Sequence, residues 1–376
     1  MGCSGAARAP VLGRFRRLLL GGGKPTDCVR GRLEPEEVPA RAQLHLLCFG
    51  ARGDVEALLR QRYQREGQPR SEVVVLRNPD GELVGAQALT LLPALWRGEP
   101  VELGMLTLGM VHPEYRRRGL FRQLVSEAER VGWERGAALL FTMPNERSEP
   151  AFDQFETWCA APRRQAHLLA LDPGKLVGDR VGLPGLGAAL GRPLRMASRW
   201  SRSRGDPTEE LGDPGRVAEA IDDLARRAAE RAGGLMLLRD AAFFQWRYVD
   251  NPVADYRYLA LRRGDGRIDA LAVATTQPRF GSTFGFVVDI LADCAADEQK
   301  RLLRRTARTL WEQGAVAAVC IGRVEEQRAV LRRAGFVDLT GVYPRTFHTY
   351  FSVREQSSLI DPTESWYLTL ADFDSV

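Results

Sequence analysis

Lysine is nearly absent from this chain: Lys24, Lys175 and Lys300 are the only three among 53 Lys and Arg residues. The basic charge is therefore arginine. Against 48 acidic residues it leaves a net charge of +5, too small to require a nucleic-acid partner. Histidine is scarce too. His45, His112, His167 and His348 show neither metal-ligand spacing nor a Ser/His/Asp pattern. The six cysteines (Cys3, Cys28, Cys48, Cys159, Cys294, Cys320) contain no CxxC pair. That argues against a zinc site or disulfide framework and points to a reducing, cytoplasmic compartment. No apolar run approaches the roughly 20 residues of a membrane span. The basic N-terminus holds only Leu18, Leu19 and Leu20 as an apolar core, too short for a signal peptide. It begins Met-Gly, but Ala6 stands where a myristoylation signal has Ser or Thr. Residues 1–27 read as a loose arm.

What is present is a repeat in a chain of 376 residues, a length that suits two or three domains. The segment 73–90 reads as strand, Asp80-Gly81 turn, strand, with apolar residues alternating on either side; 258–276 has the same shape around Asp265-Gly266. The two turns are 185 residues apart. Each hairpin leads into a further strand-like segment (101–111 and 284–293), a helical stretch, a short buried strand from Gly136 or Gly314, and a last helix ending at Trp158 or Phe336. The last landmarks are 178 residues apart, so 185 − 178 = 7 residues are missing from the second copy. They are missing after its central strand, where the first copy has "HPEYRRRGL". The expectation is two α/β units of mixed sheet and flanking helices, at 28–171 and 215–376. The Gly-, Pro- and Arg-rich segment 172–214 joins them as a connector.

The stretch "LGMVHPEYRRRGLFRQLVSEAERVGW" (108–133) carries the chemistry. A strand-length apolar run stops at Pro113. After Gly119, apolar residues recur at Leu120, Phe121, Leu124, Val125, Ala128 and Val131, one face of a helix. Arg116, Arg117 and Arg118 thus sit in a strand-to-helix loop. There, unpartnered N–H groups and the positive end of the helix dipole favour an anion. The dipole supplies about 0.3–1 kcal/mol, so arginine side chains would have to add to it. Gly119 lets the backbone come close to a ligand.

"VHPEYRRRGLF" resembles the acyl-CoA pyrophosphate loop of the GNAT superfamily of N-acetyltransferases, with Val111, Pro113, Tyr115, Arg116 and Gly119 matching its pattern; Phe121 stands where that pattern has Gly or Ala. "FTMPNERSEPAFDQFETW" is similar to the fifth strand and next helix of one GNAT branch, through Asn145, Ser148, Pro150, Phe152 and Trp158. The segment 239–262 and the C-terminal "WYLTL" resemble the second half of tandem members. The resemblance spans about 28–171 and 215–376. It implies two GNAT-like α/β domains in tandem, with acetyl-CoA as acyl donor, no metal, and a small-molecule or peptide amine as acceptor.

The same resemblance implies that main-chain groups of Met110 and Val111 hold the pantetheine arm and that the amides from Arg117 through Arg118, Gly119 and Leu120 to Phe121 hold the pyrophosphate. Asn145, Ser148 and Phe152 would line the thiol end. Glu102, the one carboxylate on the 101–111 strand, is the candidate general base, and His112 is read as structural. Phe152 stands near where many relatives have an acid tyrosine, leaving Cys159, water or no acid. The second half lacks the loop and offers Asp289, Asp293 and Asp297 instead, which would repel a pyrophosphate. In "FFQWRY" (243–248) the aromatics read as core and Asp240 as an N-cap. Two other classes fit this outline. One is a Fem-like aminoacyl transferase drawing on aminoacyl-tRNA through 192–204; the other is a non-catalytic module that binds acyl-CoA or a metabolite.

Overall fold

Val73, Val74, Val75 and Leu76 are all buried, alternating between the packing clusters on the two faces of one sheet. A strand covered on both faces reads as an unbroken apolar run. The computed structural model describes residues 28–50, 53–64, 67, 69–161, 165–176, 208–322, 324–339, 349–354 and 365–372. The expected arm at 1–27 and the basic stretch 192–204 lie outside them.

The first half runs β1 (Val29–Arg32), α1 (Val38–Phe49), α2 (Val55–Tyr63), β2 (Arg70–Arg77), β3 (Leu83–Trp96), β4 (Glu99–Val111), α3 (Leu120–Glu134), β5 (Leu139–Thr142), α4 (Glu149–Phe152), β6 (Cys159–Ala160) and β7 (Gln165–Ala170). The second begins β8 (Thr208–Leu211), α5 (Ala218–Ala232), β9 (Leu235–Leu237), α6 (Ala241–Phe244), β10 (Arg257–Arg262), β11 (Ile268–Arg279) and β12 (Ser282–Ala292). It continues with α7 (Ala296–Glu312), β13 (Ala317–Gly322), α8 (Glu325–Ala334), β14 (Val337–Asp338), β15 (Tyr350–Val353) and β16 (Trp366–Tyr367).

Two mixed sheets result. The first is ordered β1-β2-β3-β4-β5-β15-β6, with β9 and β16 added along β3; the second is β14-β7-β13-β12-β11-β10-β8. Each has a parallel pair bridged by a helix, β4–β5 by α3 and β12–β13 by α7, and β9 and β16 form a second parallel pair in the first sheet. The register shifts in the two hairpins fall at Leu76/Arg77 and Leu261/Arg262, the same 185-residue offset as the Asp-Gly turns.

The halves exchange strands. β15 lies between β5 and β6, antiparallel to both, and β7 lies between β13 and β14, again antiparallel to both. So β7, inside the 28–171 segment, completes the second sheet. β8, inside the segment read as connector, pairs with β10 at that sheet's edge. The largest core cluster joins the halves as well. Leu103, Met105 and Phe141 of the first sheet and Leu271, Val288 and Leu291 of the second meet Ile221, Leu224 and Phe244 of α5 and α6. Phe243, Phe244 and Trp246 are buried, and Asp240 accepts from the Phe243 N–H at 2.8 Å as N-cap.

One expectation differs. The helix expected to end at Trp158 stops at Phe152, because the chain turns at Phe155 and Trp158, whose N–H groups bond to the Phe152 and Phe155 carbonyls. Among the described residues the five cysteines are free, no His/Cys/Asp/Glu cluster could hold a metal, and no helix is long and apolar enough to cross a membrane.

Candidate active site

β4 and β5 pair only from Leu103–Leu139 to Leu106–Thr142. Beyond that, β4 bulges: Ala86 faces Met110 and Ala88 faces Thr107, so Gln87 stands opposite both Leu108 and Gly109. Leu108 has φ of +48°, a left-handed conformation that costs a bulky residue roughly 1 kcal/mol. The Gln87 amide spans the bulge, donating to the Thr107 carbonyl at 2.8 Å and the Ala88 carbonyl at 3.0 Å. Met110 and Val111 remain paired with Ala86 and Gly85 of β3, so it is the β5 side of β4 beyond Leu106 that lacks a neighbouring strand among the described residues.

Gly109 sets the width of this place. A Cβ there would lie 2.5 Å from Gln87 Oε1 and 2.8 Å from the Phe121 ring. Phe121, half-buried in the first turn of α3, leans on the glycine and packs edge-on to Phe152 at 5.9 Å. The small residue that the resemblance leads one to expect at Phe121 has its counterpart here in Gly109, on the strand beneath. Gly109→Ala should displace Phe121 or Gln87 and weaken any ligand that relies on the α3 N-terminus by about tenfold, measured as Kd, with a smaller effect on thermal stability.

The connection 112–119 is held by short local bonds. The His112 N–H donates to the Val84 carbonyl at 2.9 Å and its Nδ1 accepts from the Glu114 N–H at 3.3 Å, the structural role expected of it. Arg117 (φ +62°) and Gly119 (φ +76°) are both left-handed, and nothing lies within 4 Å of where a Gly119 Cβ would stand. Gly119 is the N-cap of α3 and supplies no capping side chain, so first-turn N–H groups point outward uncapped.

Arginines surround this end. Arg116 turns inward, its Nε donating to the Val111 carbonyl at 3.1 Å and its Nη2 to Cys48 Sγ at 3.7 Å, which braces the end of β4 against α1. Arg118 lies over the Tyr115 ring and donates to the Glu114 carbonyl at 2.8 Å. Arg122, which sequence reasoning passed over, lies over Phe155 and donates to the Gln154 carbonyl at 3.0 Å. Most arginines nearby are ion-paired (Arg70 with Glu102, Arg77 with Glu37, Arg130 with Glu127), yet Arg116, Arg117, Arg118 and Arg122 pair with no carboxylate among the described residues.

The other expected site residues divide. Phe152 is buried, packed among Phe121, Phe155, Trp158 and Tyr350. Asn145 and Ser148 build the turn into α4; Asn145 Oδ1 accepts from the Arg147 and Ser148 N–H groups at 3.0 and 3.2 Å. Glu102 is not brought to this place. It precedes the β4–β5 pairs whose far end opens the gap, about 26 Å along the strand from Met110 at 3.3 Å per residue, and Arg70 clamps both its oxygens at 2.8 and 2.7 Å. In the second half the connection is 293–295 against 112–119 in the first. Asp289 there is fully buried against Arg239, and Asp293 pairs with Arg227 and Arg267. Asp297 alone of the three is exposed, so charge repulsion at that loop is weaker than their spacing implied.

The family model for the acetyltransferase (GNAT) domain matches residues 31–156. No curated protein matches the chain significantly. Among solved structures, a GCN5-related N-acetyltransferase from Anabaena variabilis superposes with a TM-score of 0.60 at 11% identity, over 87% of this chain and 72% of that one. One from Kribbella flavida gives 0.57 at 12%, over 88% and 71%. The N-myristoyltransferase of Saccharomyces cerevisiae with bound myristoyl-CoA gives 0.61 at 11%, over 87% and 79%. At such identities the likeness is one of fold. Residues 31–156 are a GNAT acetyltransferase domain, set in a mixed α/β chain whose GNAT-fold likeness extends over most of its length.

Proposed function

We propose that this protein is an acyl-CoA-dependent N-acyltransferase with one donor site per chain, in the first half, taking acetyl-CoA and an amine on a small molecule or peptide. The observation that carries the reading is the uncapped N-terminus of α3, ringed by arginines that pair with no carboxylate among the described residues and set beside a strand that has parted from its neighbour. The N–H groups from Arg117 to Phe121 and the side chains of Arg117, Arg118 and Arg122 would hold the pyrophosphate, with Arg116 bracing the strand end. Met110 and Val111 main-chain groups would pair with the pantetheine amides. An N–H of the strand beyond its last pair with β5 can polarise the thioester carbonyl while the amine attacks it directly.

The second half supports a single site. Tyr367 donates to the Ile290 carbonyl at 2.7 Å, and Ile290 pairs with Ala272, the residue 185 positions after Gln87. Gln327 Nε2 donates to the Leu368 carbonyl at 3.2 Å. The chain's own segment 365–372 thus lies against the strand that corresponds to bulged β4.

Calorimetric titration of acetyl-CoA tests the reading. One site per chain is expected, with affinity falling as salt rises. Arg118→Glu with Gly119→Asp should weaken binding by at least roughly 100-fold, because each lost charge-assisted contact is worth about 1.5–3 kcal/mol. No saturable binding to the wild type at low or moderate salt sinks the proposal.

A further inference from the structure

Thr107 is the first β4 residue beyond the last β4–β5 pair, Leu106–Thr142. Its hydroxyl lies 2.9 Å from that of Tyr63, the last residue of α2. Tyr63 is buried, with the Arg41 guanidinium 4.3 Å above its ring. Thr107 stands opposite Ala88, whose side chain belongs to the α1–α2 cluster, so the hydroxyl pair occupies the face of the sheet away from α3. From Val111 back to Thr107 is four strand steps, about 13 Å at 3.3 Å each. An extended pantetheine arm starting from a pyrophosphate at the α3 N-terminus reaches its sulfur there.

Resting on the donor-site reading above, we infer that Thr107 donates a hydrogen bond to the thioester sulfur and that Tyr63, donating to Thr107 Oγ1, fixes the hydroxyl in that direction. Tyr63 is the donor of the pair because a phenol gives up its hydrogen more readily than an aliphatic alcohol, leaving the Thr107 hydrogen for the ligand. The amine lone pair forms the C–N bond, and the C–S electron pair leaves on sulfur. The amine's surplus proton goes to solvent, and the thiolate takes one from solvent after release. A hydroxyl aimed at sulfur strengthens as charge gathers there, so it favours the transition state over the bound thioester. Thr107 touches the reacting atoms; Tyr63 is a positioning residue. Glu102, held by Arg70, and Phe152, which carries no dissociable proton, leave this task open.

The test needs no acceptor. CoA with its free thiol is bound to each variant, and thiolate absorbance in the ultraviolet is followed against pH. In the wild type the bound thiol should ionise at lower pH than free CoA. Thr107→Val should raise the midpoint by about one pH unit, a tenfold change in the ionisation constant, while leaving CoA bound. Tyr63→Phe should move it the same way by less, and Thr107→Ser should restore it. A purely structural pair would leave the midpoint where it was. Equal midpoints in wild type and Thr107→Val, with CoA bound to both, overturn the inference but not the donor site; failure of the wild type to bind CoA overturns both.

Discussion

Produced alone, either half of this chain is expected to aggregate, and the two produced together to form a soluble one-to-one complex. The reason is the reciprocal exchange of β7 and β15. A fragment ending at 176 has no strand between β5 and β6, and all four residues of β5 (Leu139–Thr142) are buried in the intact protein. Its own β7 has lost β13 and β14, the strands it pairs with. The fragment 208–376 has the mirror defect: β13, mostly buried, loses its partner on one side and β15 has no sheet to enter. An unpaired interior strand offers a row of free N–H and C=O groups over apolar side chains, which is a template for aggregation. The shared cluster around α5 and α6 deepens the loss, since Leu103, Met105 and Phe141 would meet water. Cutting the intact chain between 177 and 207 should do none of this, because both crossing strands stay paired. Size-exclusion chromatography and thermal melting of the fragments, the mixture and the nicked protein distinguish these outcomes. A 28–176 fragment that is monomeric and melts cooperatively on its own would falsify the exchange as a folding requirement.

This exchange could not be read from the sequence. The Asp80-Gly81 and Asp265-Gly266 hairpins were legible because turn chemistry and alternation are local, and their shared register shift shows how closely the copies match. The strand-loop-helix around Gly119 was legible for the same reason. Which sheet β7 or β15 joins depends on partners more than 140 residues away in sequence, and a short apolar strand fits either sheet equally well. Phe121 was misleading at its own position. The space it needs is provided by Gly109, whose signal was a glycine inside a strand pattern, the usual mark of a bulge or close approach. Glu102 drew notice as the one carboxylate on its strand, but Arg70, 32 residues earlier in the chain and two strands away across the sheet, takes up both its oxygens. Tyr63 and Thr107 are 44 residues apart, and only the packing of α2 on β4 brings their hydroxyls together.

Arg239→Met should cost about 3–5 kcal/mol of stability, the usual loss when one partner of a buried ion pair is removed. Arg239 is fully buried, donating through Nε to Asp289 at 2.8 Å, through Nη1 to the Leu237 carbonyl at 2.9 Å, and through Nη2 to both oxygens of Asp372 at 2.8 Å. Burial pulls its pKa down, but Asp289 and Asp372 outweigh that and hold it above the ordinary arginine range. Thr369 donates to Asp289 at 2.9 Å, and so does Tyr248, whose phenol burial and the Asp289 charge push well up. One guanidinium therefore neutralises carboxylates from β12 and from the C-terminal segment, and fastens that segment to the strand corresponding to bulged β4. Without it both buried carboxylates lose the guanidinium they share, and a buried carboxylate deprived of that partner is a worse state than no ions there at all. Replacing Asp289 and Asp372 by Asn in the Arg239→Met background should thus recover part of the loss, read as denaturant midpoints at constant slope. If the triple variant is no more stable than Arg239→Met, the cost lies in lost packing around the guanidinium and not in unpaired charge. If the C-terminal segment is what closes the second half, acetyl-CoA should still bind the single variant at one site per folded chain, because the arginines around α3 lie on the other sheet.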